Sequence, residues 1–281
     1  QPNGTAKNLV GVTLPGAPLV LLGRNDKVAW GFTNTGSDVQ DIFIEKINPA
    51  NPDQYQALDG FRPFEKERVE IRVKGSETVS FERRVTRHGP VLPPEYRGLQ
   101  HYLDDGTVAS LSWTVLAGDD KTIAAGLKLW DFVSVSDFQN GMADYVTPMQ
   151  SMVIADVDGN IRMIAPGRIP VRDPANQIMG RAPSPGWDAV YDWKGYIPYE
   201  ELPRAYNPAD NVLATANTKM VDASYPHFLT FDWDEPWRLE RIKSLIYNAN
   251  QQTLETNRIV QGDVYAGAYA VLTPAMLKLV E

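Results

Sequence analysis

The chain has 281 residues, of which 43% are hydrophobic and 22% charged, and its formal net charge is −8. Because an acidic surface repels phosphate backbones, this charge excludes a nucleic-acid partner. No cysteine is present, so neither a disulfide framework nor a thiolate nucleophile can form. No apolar run reaches the roughly 20 residues of a membrane span, and Gln1-Pro2-Asn3-Gly4 does not resemble a signal peptide, so we expect no membrane partner.

The first 130 residues are predicted to be mainly strands. Short segments rich in β-branched and aromatic residues alternate there with Gly, Pro, Asn and Asp. The predicted strands are residues 10–13, 19–22, 28–32, 42–47, 68–73, 78–84 and 110–115.

Two hairpins and one helix are predicted next. Lys74-Gly75-Ser76 separates two alternating segments, and Asp158-Gly159-Asn160 separates the apolar segments 153–157 and 161–164. Between the hairpins, apolar residues recur at helical spacing over residues 134–145, with Ser136 as the predicted N-cap.

The rear of the chain is predicted to be a long surface connection followed by helices. Prolines and glycines break both helical and strand patterns over residues 165–208. A short apolar strand is predicted at 212–216, and helices at 235–248, 257–270 and 274–280. A strand-rich front and a helical rear predict an α+β fold.

General motifs do not assign a chemistry to the chain. Asp156, Asp158 and Asn160 imitate the start of a calcium loop, but the loop lacks its closing glutamate and strands flank it, which favours a plain hairpin. The three histidines are scattered, no Gly-x-Ser-x-Gly occurs, and phosphate-binding and dinucleotide-binding glycine motifs are absent. Asn217 at the end of a strand and Arg238 in a helix opened by Pro236 are compatible with plain structural roles.

Several blocks, taken in order, resemble the β chain of the penicillin amidase family of N-terminal nucleophile hydrolases. They are residues 19–34 (LVLLGRNDKVAWGFTN), 38–43 (DVQDIF), 84–90 (RVTRHGP), 156–161 (DVDGNI), 192–198 (DWKGYIP), 211–220 (NVLATANTKM) and 233–242 (WDEPWRLERI). The resemblance implies part of an αββα sandwich. It implies that residues 1–281 are one incomplete domain, a central part of the β chain without the nucleophile, the α chain and the C-terminal half.

The resemblance also implies roles for individual residues. Asn217 falls where a side-chain amide donates to the oxyanion of the tetrahedral intermediate, and Asn34 where a backbone N–H does so. Arg238 falls on the arginine that holds the catalytic asparagine. Arg241, one turn later, is interpreted as a residue of the helix surface. Phe32 and Leu22 fall on positions that line the acyl pocket, although strand core is an equally good interpretation of both.

Asp38, Gln40 and Asp41 match the family's calcium segment, where oxygen ligands suit a hard cation. The resemblance thus implies structural calcium in the parent protein and no cofactor for catalysis. Two departures bear on this: the family's proline ligand is replaced near Gly180, and its later aspartate has no clear counterpart around His227.

Two functions follow from these observations. The first is an amidohydrolase that cleaves an N-acyl bond in a β-lactam or an acyl-homoserine lactone, with a small acyl amide as substrate, the α chain of the same precursor as partner and a periplasmic or secreted location. This chain alone would then be inactive. The alternative is a non-catalytic β-rich binding or structural domain that retains the fold.

Overall fold

The computed structural model describes residues 8–17, 19–249 and 251–279; the opening Gln1-Pro2-Asn3-Gly4 and Val280, at the end of the last predicted helix, lie outside these ranges. The strands are β1 (Val10–Val12), β2 (Leu22–Arg24), β3 (Val28–Asn34), β4 (Gln40–Asn48), β5 (Asn51–Ala57), β6 (Gly60–Pro63), β7 (Glu65–Ile71), β8 (Val79–Thr86), β9 (Gly89–Pro90), β10 (Thr107–Trp113), β11 (Gln150–Asp156), β12 (Ile161–Ile164), β13 (Pro170–Arg172), β14 (Ser184–Pro185), β15 (Trp193–Tyr196) and β16 (Arg204–Tyr206). The helices are α1 (Thr122–Lys128), α2 (Val135–Gly141), α3 (Trp237–Tyr247), α4 (Leu254–Gly262) and α5 (Gly267–Leu277). The predicted α+β class is confirmed.

A six-stranded antiparallel sheet carries the main core. Its strand order is β1-β2-β3-β11-β12-β16, and it contains the predicted hairpin β11–β12. The other predicted hairpin, β7–β8, is also present and belongs to a separate sheet. Alternate residues of β3, Val28 and Trp30, face one side of this sheet and are buried. Helices α1 and α2 cover that side, and Phe138 of α2 packs against Trp30 with ring centroids 6.2 Å apart.

A second sheet is built around β4. The order β10-β4-β5-β6 is antiparallel, and the short β14 adds to β4 in parallel. Strand β4 alternates buried and partly exposed residues, so that Asp41, Phe43 and Glu45 share its buried face. Two of these three are acidic, which means that the interior beside β4 must contain their partners.

Residues 165–208 are not the surface connection that the prolines and glycines suggest. Ile169 is fully buried, and it forms a second core together with Met149, Ile197, Leu202 and Leu229. The prolines and glycines here separate very short strands and turns instead of keeping the segment on the surface.

Three predicted boundaries also need correction. The N-cap of α2 lies two residues before the predicted Ser136, because the Ser134 hydroxyl accepts from Asp137 N at 3.1 Å, and the helix ends at Gly141 instead of residue 145. Residues 212–216 form no strand. The last two helices run from Leu254 and from Gly267, with Pro274 inside the second.

Among residues 8–17, 19–249 and 251–279, no helix combines the length and the apolar character needed to cross a membrane.

Candidate functional site

Asn217 lies in an irregular segment that runs beside the end of β3. The Thr33 hydroxyl donates to the Thr215 hydroxyl at 2.8 Å, which ties this segment to β3. The backbone of Asn217 has a φ of 63°, a left-handed conformation that asparagine tolerates better than most residues do. The strand predicted at residues 212–216 is therefore absent, and the left-handed backbone of Asn217 directs its side-chain amide toward Asn34.

Asn217 bridges Asn34 and Arg238. Its Nδ2 donates to the Asn34 carbonyl oxygen at 2.7 Å, and its Oδ1 accepts from Arg238 Nη2 at 2.9 Å. An amide nitrogen carries two hydrogens, so one remains for a further acceptor. The three residues selected from the sequence for the oxyanion site are thus in contact, although 183 positions separate Asn34 from Asn217.

Arg238 is held in the first turn of α3. Its Nη2 also donates to the Ala216 carbonyl oxygen at 2.9 Å and to Asp234 Oδ2 at 2.6 Å. Because Arg238 contacts both the backbone and the side chain of the Asn217 turn, it fixes which way the amide points. Arg241 forms two hydrogen bonds with Asp263 and takes no part in this cluster.

Leu22 and Phe32, the two predicted pocket residues, do not meet. In the β2–β3 pairing Gly23 lies opposite Trp30. Side chains alternate along a strand, so Phe32 shares the helix-covered side with Trp30, whereas Leu22 points to the other side. Phe32 packs against the main core, and Leu22 is partly exposed.

A largely apolar cavity of about 560 Å³ lies against the side of the sheet to which Leu22 points. It is lined by Ala29, Trp30, Gly31, Val153, Ile154, Ala155 and Ile161 of the sheet, by Asn211, Val212 and Leu213, and by Ile246, Gln252, Asn257 and Val260. Gly31 lies three residues before Asn34 in β3, roughly 10 Å along the strand, and the Asn34 carbonyl oxygen accepts from the Asn217 amide.

Asp38, Gln40 and Asp41 lie at the start of β4, but an arginine already pairs with the Asp41 carboxylate. Arg172 Nε and Nη2 donate to the two Asp41 carboxylate oxygens at 3.0 and 2.8 Å, and both side chains are buried. Gln40 is exposed. Burial raises the pKa of Asp38 to about 6, against the opposing effect of the Arg172 charge. Among the described residues, no His, Asp and Glu side chains form a group of three or more that could hold a metal ion.

A buried charge cluster, which the sequence did not reveal, lies further along the same buried face of β4, around Glu45. Glu45 is fully buried and accepts from Thr86 Oγ1 at 3.0 Å and from Ser110 Oγ at 2.9 Å. His88 Nδ1 lies 2.7 Å from Glu45 Oε1, and His88 Nε2 lies 3.0 Å from Asp192 Oδ1. The available clue was the Thr86-Arg87-His88 motif, which the resemblance identified without assigning it a role.

Arg87 completes the cluster with two hydrogen bonds to Asp192, at 2.8 and 2.7 Å. Burial alone would raise the pKa of the Asp192 carboxyl, but hydrogen bonds from Arg87 and His88 outweigh burial and hold this pKa below its ordinary value of 3.8. The cluster joins β4, the β8–β9 turn and the start of β15, so its role in this structure is to hold those elements together.

Asp192→Asn is expected to lower stability in a pH-dependent way. A carboxyl with a lowered folded-state pKa stabilises the fold above its unfolded-state pKa, and this contribution is lost as the pH falls through the folded-state value. At neutral pH the free energy of unfolding of the variant should therefore be about 1.5–3 kcal/mol lower than that of wild type, because charge-assisted hydrogen bonds are lost. Its melting temperature should be lower accordingly. The gap should close as the pH falls below 3.8.

Asp119→Asn is the matched control for this measurement, because the carboxylate of Asp119 pairs with Arg168 while remaining 70% exposed. Exposed pairs contribute little, so its melting temperature should stay close to wild type. A gap between Asp192→Asn and wild type that widens on acidification would contradict the expectation.

The chain is similar to known proteins in both sequence and fold. The family model described as penicillin amidase matches residues 3–281. An acyl-homoserine lactone acylase, QuiP, from Pseudomonas fluorescens is 32% identical over 242 residues, which is 86% of this chain and 29% of that protein. A penicillin acylase 2 proenzyme from a Pseudomonas species is 29% identical over 238 residues, which is 84% of this chain and 29% of that protein.

One solved structure, a thermostable penicillin G acylase from Alcaligenes faecalis, superposes with a TM-score of 0.80 and 25% identity over 97% of this chain and 48% of its own. This match confirms the predicted fold of N-terminal nucleophile hydrolases. The chain spans less than a third of the length of the two acylases it matches in sequence.

Proposed function

The chain belongs to the penicillin amidase family, and from this premise we propose that the complete protein hydrolyses the N-acyl amide bond of a small-molecule substrate, a β-lactam or an acyl-homoserine lactone. In the proposed reaction this chain stabilises charge on the carbonyl oxygen. We assign the nucleophile to no residue of the chain. By the same family relation, the α chain of the same precursor is the proposed partner, and the periplasm or the cell exterior the proposed location.

The observation that carries the proposal is the contact of Asn217 with both Asn34 and Arg238. When a nucleophile attacks an amide carbonyl, negative charge develops on the oxygen, and fixed donors that face this charge lower the barrier. The second Nδ2 hydrogen of Asn217 is one such donor, and the backbone N–H of Asn34 is proposed as the other. Arg238 adds a positive charge behind the amide and prevents it from rotating, because the amide oxygen accepts from Arg238 at 2.9 Å.

The apolar cavity beside Gly31 supports an acyl group as the part of the substrate that is recognised. Its lining is mainly hydrocarbon, and Asn211, Gln252 and Asn257 are the lining residues with polar side chains. Such a composition suits an apolar chain and offers little to a charged one. Leu22 points to this side of the sheet without lining the cavity, whereas Phe32 packs against the main core on the other side.

The test is an amide-hydrolysis assay of the complete protein and, in parallel, of the 281-residue chain. The substrates are a chromogenic phenylacetyl anilide and a long-chain acyl-homoserine lactone. We expect hydrolysis by the complete protein only. Lack of hydrolysis of both substrates by the complete protein would favour the non-catalytic binding domain, and hydrolysis by the chain alone would overturn the assignment of roles.

A further inference from the structure

In the segment that the family resemblance assigns to calcium, both carboxylate oxygens of Asp41 and one backbone carbonyl oxygen already have donors. Asp41 Oδ2 accepts from Arg172 Nε at 3.0 Å and from Trp193 Nε1 at 2.6 Å, and Asp41 Oδ1 accepts from Arg172 Nη2 at 2.8 Å. The Asp38 carbonyl oxygen accepts from Arg172 Nη2 at 3.1 Å. A calcium ion needs six to eight oxygens at 2.3–2.6 Å, and here one guanidinium engages three oxygens of the segment.

The space around this ion pair is closed. Gly180 has a φ of +80°, and a Cβ atom added to it would lie 2.5 Å from Asp41 Oδ1 and 3.1 Å from Arg172 Nη2. The backbone near which the family's proline ligand is expected therefore packs directly on the pair. The Phe228 ring lies on the guanidinium at 5.8 Å, within the range of a cation–π contact.

The hydrogen-bond balance of the site also disfavours a second cation. Arg172 Nη1 is buried and finds no acceptor among the described residues, so this N–H group of the site is unpaired. A metal ion would need additional acceptors and would bring two further positive charges against a guanidinium that is fully shielded from solvent.

We propose that the Arg172 guanidinium is the permanent cation of the segment 38–41, and that the complete protein consequently needs no calcium at this position. Asp38, Gln40 and Asp41 are then structural residues. A fixed arginine links β4 to β13 at any calcium concentration, which makes the position of β4 independent of the supply of metal ions.

The first measurement is made on the complete wild-type protein. After dialysis against EGTA, we expect no stoichiometric calcium by elemental analysis and an unchanged melting temperature when calcium is added. One equivalent of retained calcium, together with a lower melting temperature after chelation, would overturn the proposal.

The second measurement compares Arg172→Gln with Arg168→Gln, whose partner Asp119 is largely exposed. Loss of Arg172 leaves the Asp41 carboxylate buried with the Trp193 donor alone, so its melting temperature should fall by roughly 10 °C, whereas Arg168→Gln should stay near wild type. Equal melting temperatures of the two variants would overturn the proposal.

Arg172→Lys keeps the test decisive if Arg172→Gln does not fold. Lysine retains the positive charge but cannot donate to both Asp41 oxygens as a planar fork does. We expect the melting temperature of Arg172→Lys to be lower than that of wild type and higher than that of Arg172→Gln. It should not depend on added calcium. A calcium-dependent melting temperature of Arg172→Lys would count against the proposal.

Discussion

Replacement of Asn217 by aspartate in the complete protein is expected to lower kcat for amide hydrolysis by roughly 10²–10³-fold. Aspartate tolerates the left-handed backbone at this position, where φ is 63°, and can still accept from Arg238. It lacks the N–H that faces the oxyanion, however, and it places a negative charge where negative charge develops. KM should change much less than kcat, because the donor acts mainly in the transition state.

Asn248→Asp is the control, since Asn248 is an exposed residue at the other end of α3. It should hydrolyse the same substrates at nearly the wild-type rate. A melting curve of Asn217→Asp that matches wild type would show that the loss is chemical. Wild-type kcat in this variant would refute the assignment of Asn217 to the oxyanion.

His88→Leu is expected to destabilise the protein by about 3–5 kcal/mol, the cost of leaving a buried charge without its partner. The charge is that of Glu45, whose Oε1 would retain only the hydroxyl donors of Thr86 and Ser110. Its Oε2 already lacks a partner among the described residues. Loss of the His88 ring would also remove the stacked contact with Phe43, whose centroid lies 3.6 Å away. The melting temperature should fall by several degrees.

The exposed His101 provides the matched control, and His101→Leu should leave the melting temperature close to wild type. The double variant Glu45→Gln/His88→Leu should regain part of the loss, because the orphaned charge is then absent. A double variant whose loss of stability equals the sum of the two single losses would mean that Glu45 does not depend on His88.

The sequence allowed the hairpins and the longer strands to be predicted because their signals are local. Lys74-Gly75-Ser76 and Asp158-Gly159-Asn160 are turn residues between alternating segments, and both turns form where predicted. Residues 165–208 were misjudged because their order comes from Ile169 and its distant neighbours in the second core, not from any periodicity. Tertiary packing here overrides a composition that is typical of loops.

The site shows the same division. Asn34, Asn217 and Arg238 could be selected only by resemblance, because no local pattern relates positions that are 183 residues apart. The Arg172–Asp41 pair spans 131 residues, and an arginine in a short strand has no feature that predicts a buried partner. Ion pairs within the interior therefore had to be read from the three-dimensional structure.

The attachment of the Asn217 turn has a consequence for its motions. Residues 212–217 join no sheet, and two of their side chains hold them to β3: the Thr215 hydroxyl accepts from the Thr33 hydroxyl, and the Asn217 amide donates to the Asn34 carbonyl oxygen. Breaking a few such contacts requires far less free energy than global unfolding, so amide protons of this segment should exchange with solvent while those of β3 remain protected. Departure of a product could then use such a local opening, with the sheet intact.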